Sequence, residues 1–220
     1  MRIEAAVADY DRLRRDVFQL RESMAGGRRL ALALLFAFST GVMAQLRFQV
    51  PWTPVPVTGQ VLAVLMAGAI QGGRWGALSQ SIYLFLGVAG VPWFNGFSSG
   101  LSVLAGPTGG YLLGFVPAAL AVGHIVDRCG ELRTLPRLLA VLSSVTLFCI
   151  YLPGIVQLAF WYRAAAGSFP SVGPVLMAGV IPFLPGEAVK ILYAGLFIRI
   201  AGPPAVKPFS EDDGFGIDRN

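Results

Sequence analysis

The chain has little charge, and the charge it has is unevenly placed. Charged residues make up 13% of 220, about half the share of an ordinary soluble domain. Between Pro51 and Asp127 the only charged residue is Arg74, and between Pro136 and Arg199 there are only Arg137, Arg163, Glu187 and Lys190. Stretches of this kind cannot face water, which excludes a soluble fold. Cysteine is scarce. Cys129 falls in a polar loop and Cys149 in an apolar run, which speaks against a disulfide or a metal site. His124 is the only histidine. Both lysines, Lys190 and Lys207, follow valine, so there is no Gly-Lys-Ser/Thr phosphate loop and no ATP hydrolysis by that route. The first 28 residues are charged throughout and hold no apolar core, so no signal peptide is expected.

What remains is oil: 55% hydrophobic residues and a mean hydropathy of +0.66. A spanning helix needs roughly 20 apolar residues. The pattern predicts an all-α integral membrane bundle of six transmembrane helices, at about 30–48, 57–72, 75–92, 105–126, 138–161 and 175–200. Gly72-Gly73-Arg74 joins the second and third by a tight turn. Pro182, Pro185 and Gly186 interrupt the sixth, so its continuous helix is expected to begin near Leu184, leaving 163–183 as an outer loop with a short helix. Of 17 Lys and Arg, all but Arg47, Arg163 and Lys190 then fall on one side. Basic residues collect in cytoplasmic loops, so both termini are expected in the cytoplasm of a multi-pass cell-membrane protein. The same placement assigns the net charge of +5 to the membrane rule and not to nucleic acid.

Residues 1–29 form a polar head in which Ile3, Ala6, Tyr10, Leu13, Val17, Leu20 and Met24 step by three and four. This is the stripe of an amphipathic helix, lying on the inner leaflet or docked on a partner. Residues 30–200 are the membrane domain. Residues 201–220, with Glu211, Asp212 and Asp213, are expected to be a disordered cytoplasmic tail.

Glu187 and Lys190 carry the most information. An ionisable group inside a membrane helix costs a few kcal/mol, and here two of opposite sign share a face at i and i+3. They either neutralise each other or serve a ligand. Pro185 suits a first helical turn, where free N–H groups add donors for a polar guest. Two outer loops, the second without charge, are candidates to complete the site. Pro51, Pro54 and Pro56 stiffen the first, Arg47 to Gln60, which includes Thr53 and reads as a lid or a plain connection. The second, Val91 to Pro107, offers Trp93, Phe94 and Asn95, as aromatic walls around an amide or as interface anchors. Gly96-Phe97-Ser98-Ser99-Gly100 matches the serine-hydrolase G-x-S-x-G pattern, yet that motif needs a histidine base, and His124 falls at the opposite membrane face. No catalytic residue, metal or cofactor is expected. Ala31, Ala33 and Ala37 thin the first span. The Ala33/Ala37 pair permits close helix approach, by a partner or within the chain.

Four stretches together resemble BioY, the biotin-specific substrate-binding (S) components of energy-coupling factor (ECF) transporters. They are Thr53-Pro54-Val55-Pro56-Val57-Thr58-Gly59-Gln60, Arg74-Trp75-Gly76-Ala77-Leu78-Ser79, Gly106 to Phe115 with its Gly-Pro-Thr-Gly-Gly-Tyr start, and Leu184-Pro185-Gly186-Glu187-Ala188-Val189-Lys190. The resemblance covers about residues 30–200. It implies a six-helix S component that binds biotin on the outer side and delivers it inward. It also implies association with a transmembrane coupling subunit and ATP-binding subunits, partly through Ala31, Ala33 and Ala37. Glu187 and Lys190 occupy the family's acidic–Lys pair, with Glu where Asp is usual. The substrate-binding set this implies is Glu187, Lys190, Asn95, Arg47, Trp93, Phe94, Tyr111, Gln60 and Thr53. Glu187 or Asn95 meets the ureido ring, Lys190 or Arg47 the carboxylate, and Trp93, Phe94 and Tyr111 the thiophane ring and chain. The rival readings are an S component for another small vitamin-like acid, an intramembrane enzyme, and a scaffold without a ligand.

Overall fold

The computed structural model describes residues 9, 10, 12, 21, 23–129 and 134–201. Most of the expected amphipathic head and the tail beyond Ala201 lie outside these residues. Helix α1 covers Gly26–Gln45. A two-stranded antiparallel hairpin follows, β1 Arg47–Phe48 paired with β2 Val57–Thr58. Then come α2 Gln60–Gln71, α3 Gly73–Val88, a 3-10 turn at Asn95–Phe97, α4 Leu101–Ala105 and α5 Gly109–Arg128. The second half holds α6 Leu135–Val145, a π-helical turn at Thr146–Tyr151, α7 Leu152–Ala166, α8 Val172–Gly179, a 3-10 turn at Ile181–Phe183 and α9 Leu184–Ala201.

Among the described residues, four helical stretches are long and apolar enough to cross a membrane: Gly26–Gln45, Gly109–Arg128, Leu135–Ala166 and Val172–Ala201. Helices α2 and α3 replace the expected spans 57–72 and 75–92 with shorter elements. At 1.5 Å per residue they are roughly 18 and 24 Å long, because the hairpin takes Val57 and Thr58 and the turn at Gly72 breaks the run. Gly72 has φ 81°, a left-handed conformation that strains a residue with a side chain. The sixth span divides where the prolines indicate, and its continuous helix starts at Leu184.

Helix α5 is the hub, packed on α2, α3 and α7. Two glycine seams let it in. A Cβ on Gly123 would lie 2.2 Å from the Gly73 nitrogen, and one on Gly114 would lie 2.1 Å from the Cys149 carbonyl oxygen. The π turn beside that second seam has a local cause. Pro153 has no N–H to offer the Cys149 carbonyl four residues earlier, and the Leu152 N–H bonds instead to Leu147, five residues back. Such single π turns re-aim side chains, often at functional sites.

Helix α1 presents Ala33, Ala37, Thr40, Gly41 and Ala44 as one buried stripe toward α2 and α3. Ala33 and Ala37 have no exposed surface. This corrects their assignment to a partner surface: their small side chains admit the chain's own helices. Ala31 is exposed, beside Leu34, Leu35 and Phe38 on the outward face. Inside the seam, Thr40 and Gln80 exchange hydrogen bonds, and Gln80 donates to Ser79 at 3.2 Å, so these buried polar groups are paired.

Candidate functional site

Helices α2, α5 and α9 all begin at one end of the bundle, around a single cavity of about 80 Å³. Gln60 and Val61 come from α2, Tyr111, Leu112 and Phe115 from α5, and Glu187 from the first turn of α9. Helix N-termini favour negative groups, so Glu187 suits its place. The π turn contributes Ile150 and Tyr151, and Phe183 closes the wall. Tyr111 and Tyr151 meet edge to face at 5.8 Å, and Tyr151 and Phe183 are 6.3 Å apart. The Tyr111 hydroxyl donates to the Gly179 carbonyl at 2.8 Å, so its ring is held side-on to the cavity.

Glu187 is 6% exposed. Its Oε1 pairs with Lys190, whose ammonium also donates to the Thr58 carbonyl at 2.9 Å. The Tyr151 hydroxyl also interacts with this carboxylate; Oε2 itself has no partner within hydrogen-bond distance, and neither does the buried Oδ1 of Asn95. A buried acceptor without a donor costs about 1–3 kcal/mol. Two of them on one cavity, whose wall also holds Thr58, Ser98 and Thr108, point to a guest with two donors. Gln60 is already occupied: its amide donates to the Tyr83 hydroxyl at 2.8 Å and accepts from Thr58 at 3.0 Å.

The proline-rich loop covers one side with Val55, Pro56 and Thr58. Thr53 is buried beneath it and does not line the cavity. Its hydroxyl donates to the Ala178 carbonyl at 2.5 Å and accepts from the Val55 N–H at 3.0 Å. Thr53 is therefore the loop's anchor to α8. Thr53→Val is expected to orphan the Ala178 carbonyl at a cost of about 1–3 kcal/mol. Hydrogen exchange over residues 53–58 should quicken accordingly, and unchanged exchange would contradict the anchor role.

Among the predicted site residues, Glu187, Asn95, Tyr111 and Gln60 share the cavity. Lys190 stands behind Glu187. Trp93 and Phe94 are corrections. The Trp93 indole donates to the Tyr83 carbonyl at 3.0 Å, and Phe94 is fully buried, edge-on to Tyr83 and against Gly87. Both pack the loop onto α3, and the backbone between them and Ser98 presents Asn95. Gln45 fastens the same loop to α1, donating to the carbonyls of Trp93 and Phe94 and accepting from the Phe97 N–H. Arg47 is exposed, with its guanidinium over Gly96, the residue after Asn95, and it does not line the cavity. Sequence reasoning missed Thr58, Ser98, Val103, Thr108, Phe115, Tyr151 and Phe183 as lining residues. Among the described residues no group of His, Cys, Asp or Glu is placed to hold a metal.

These features have known counterparts. The model of the BioY family matches residues 17–205. The chain belongs to that family. Among BioY proteins, the probable biotin transporter of Methanothermobacter thermautotrophicus is 43% identical over 147 residues, covering 67% of this chain and 92% of that protein. The biotin transporter BioY of Rhodobacter capsulatus is 39% identical over 152 residues, 66% of this chain and 77% of that one. The fold matches the crystal structure of the S component for biotin from an ECF-type ABC transporter, with a TM-score of 0.70 at 20% identity, over 80% of this chain and 93% of that one. The chain is thus a multi-pass membrane protein of a transporter family.

Proposed function

We propose that this chain captures biotin in the cavity between α2, α5 and α9 and passes it inward as the S component of an ECF transporter. The observation that carries the reading is the pair of unpartnered oxygens, Glu187 Oε2 and Asn95 Oδ1, on one cavity. Biotin's ureido ring presents two N–H donors, one for each. Its thiophane ring fits between Tyr111, Tyr151, Phe115 and Leu112. The valerate chain leaves toward the rim, where Arg47 meets the carboxylate. Lys190 is committed to Glu187 and Thr58; its task is to balance the carboxylate's charge in an oily helix and to latch the loop. Family relatives named biotin transporters support the ligand.

Six crossings accommodate the helices if α2 and α3 count as short spans completed by the hairpin and by the loop after Val88. The excess of Arg on one side then puts both termini in the cytoplasm of the cell membrane and the cavity at the outer face. The chain has no phosphate loop of its own, so inward delivery draws on a transmembrane coupling subunit and ATP-binding subunits. The exposed face of α1 around Ala31 is the surface offered to that coupling subunit.

Calorimetric titration of the detergent-solubilised chain with biotin, desthiobiotin and thiamine tests the ligand. The first two share the ureido ring and should bind tightly. Tight binding of thiamine would instead indicate a carrier for a cationic vitamin, and micromolar or weaker binding of biotin a carrier for another small vitamin-like acid. Arg47→Gln tests the carboxylate assignment: it should weaken biotin by about tenfold or more and leave biotin methyl ester unchanged. Equal losses for both ligands would remove Arg47 from that role.

A further inference from the structure

A second cavity, of about 280 Å³, lies at the opposite end of the bundle. Helix α2 starts at the first cavity with Gln60 and ends at this one with Gln71, and α5 likewise runs from Tyr111 to His124, Asp127 and Arg128. The lining is cationic. Arg21, Arg29, Arg74 and Arg128 face it together with His124, against Asp127 as its one acid among the described residues. Arg21 spends part of its guanidinium on Asp127 at 2.9 Å, and Arg29 donates its Nε to the Met24 carbonyl at 3.0 Å. Arg74 and Arg128 are exposed and have no hydrogen bond or ion pair among the described residues.

Gln71 makes this more than a basic patch. It lines the cavity and is 5% exposed, yet neither its Nε2 nor its Oε1 has a hydrogen-bond partner. A buried primary amide left wholly unpaired is costly, and one beside four guanidiniums marks a place for an oxyanion. Helix α3 opens on the same cavity at Gly73, Arg74 and Trp75 with no side-chain cap, and first-turn N–H groups attract anions.

We propose that this cavity binds a phosphate group, carried either by an anionic lipid headgroup or by free phosphate. Arg74 and Arg128 form charge-assisted bonds to its oxygens. The Gln71 NH₂ donates to a third oxygen, and its carbonyl accepts from a P–OH or a headgroup hydroxyl. The cavity lies where α1 and α3 begin and α5 ends, the depth at which headgroups meet a membrane helix.

The full chain in detergent provides the test. Inorganic phosphate is titrated against sodium chloride at matched ionic strength, with the unfolding midpoint as readout. In parallel, native mass spectrometry records lipid retained from mixed micelles of equal phosphatidylglycerol and phosphatidylcholine. A saturable, phosphate-specific rise identifies free phosphate as the ligand, and preferential retention of phosphatidylglycerol identifies the headgroup. Arg74→Gln with Arg128→Gln should weaken whichever is seen by tenfold or more, and Gln71→Met, which suits a buried site, should do so separately. Gel-filtration elution of both variants should match the parent. No phosphate effect beyond salt together with equal retention of the two lipids overturns the proposal. So does a folded Arg74/Arg128 double variant that keeps the parent's affinity.

Discussion

Glu187→Gln is expected to weaken biotin binding by about 1.5–3 kcal/mol, a roughly 10- to 150-fold rise in Kd. The substitution keeps the shape of the side chain and removes its charge. One lost term is direct: in the proposed binding mode Oε2 accepts from a ureido N–H, and a neutral amide oxygen accepts more weakly than a carboxylate. A second acts through Lys190, which loses its counter-ion and keeps only neutral acceptors, the Thr58 carbonyl and the amide oxygen. Breaking one side of a buried pair is costly because the surviving charge stays behind, so the variant should also be less stable. Replacing both residues, Glu187→Gln with Lys190→Met, separates the effects. The double variant should recover stability, since no unpaired charge remains, and should not recover binding. A double variant that binds biotin as the parent does would reduce the pair to internal neutralisation.

Gly114→Ala should do comparable damage from outside the cavity. Its new Cβ would lie 2.1 Å from the Cys149 carbonyl oxygen and 2.7 Å from the Ile150 Cα. Both are backbone atoms, so no side chain can swing aside, and α5 must move away from the π turn. Overpacking of this kind costs about 1–3 kcal/mol and sometimes more. The turn that would shift carries Ile150 and Tyr151 into the cavity, so biotin affinity should fall along with the unfolding midpoint. Gly173→Ala is the matched control, because a Cβ there meets nothing within 4 Å. Equal behaviour of the two variants in thermal unfolding would contradict the seam.

Much of this architecture could be read from the chain because it rests on strong local signals. Charge is so scarce that only a bilayer accommodates the apolar runs. Pro185 and Gly186 mark the start of α9, and the rarity of ions in membrane helices draws attention to Glu187 and Lys190. The three loop prolines and Thr53 likewise announce a fixed, non-helical cover. Other features gave no such signal. Phe115, Tyr151 and Phe183 are aromatic residues in apolar surroundings, and Tyr151 reaches the cavity through a π turn set by the missing N–H of Pro153. Trp93 and Phe94 have the composition of a ligand wall, yet the space left by Gly41 and Gly87 draws them inward. Ala33 and Ala37 fit a partner helix and a helix of the same chain equally well. Only the packing of α2 and α3 decides between the two.

A structure of the chain with biotin bound tests the central claim most directly. The account predicts the ureido ring between α5 and α9, with its N–H groups in hydrogen-bond reach of Glu187 and Asn95 and the carboxylate turned toward Arg47. Biotin seated elsewhere, or lying in this cavity with its ureido nitrogens turned away from both oxygens, would contradict it.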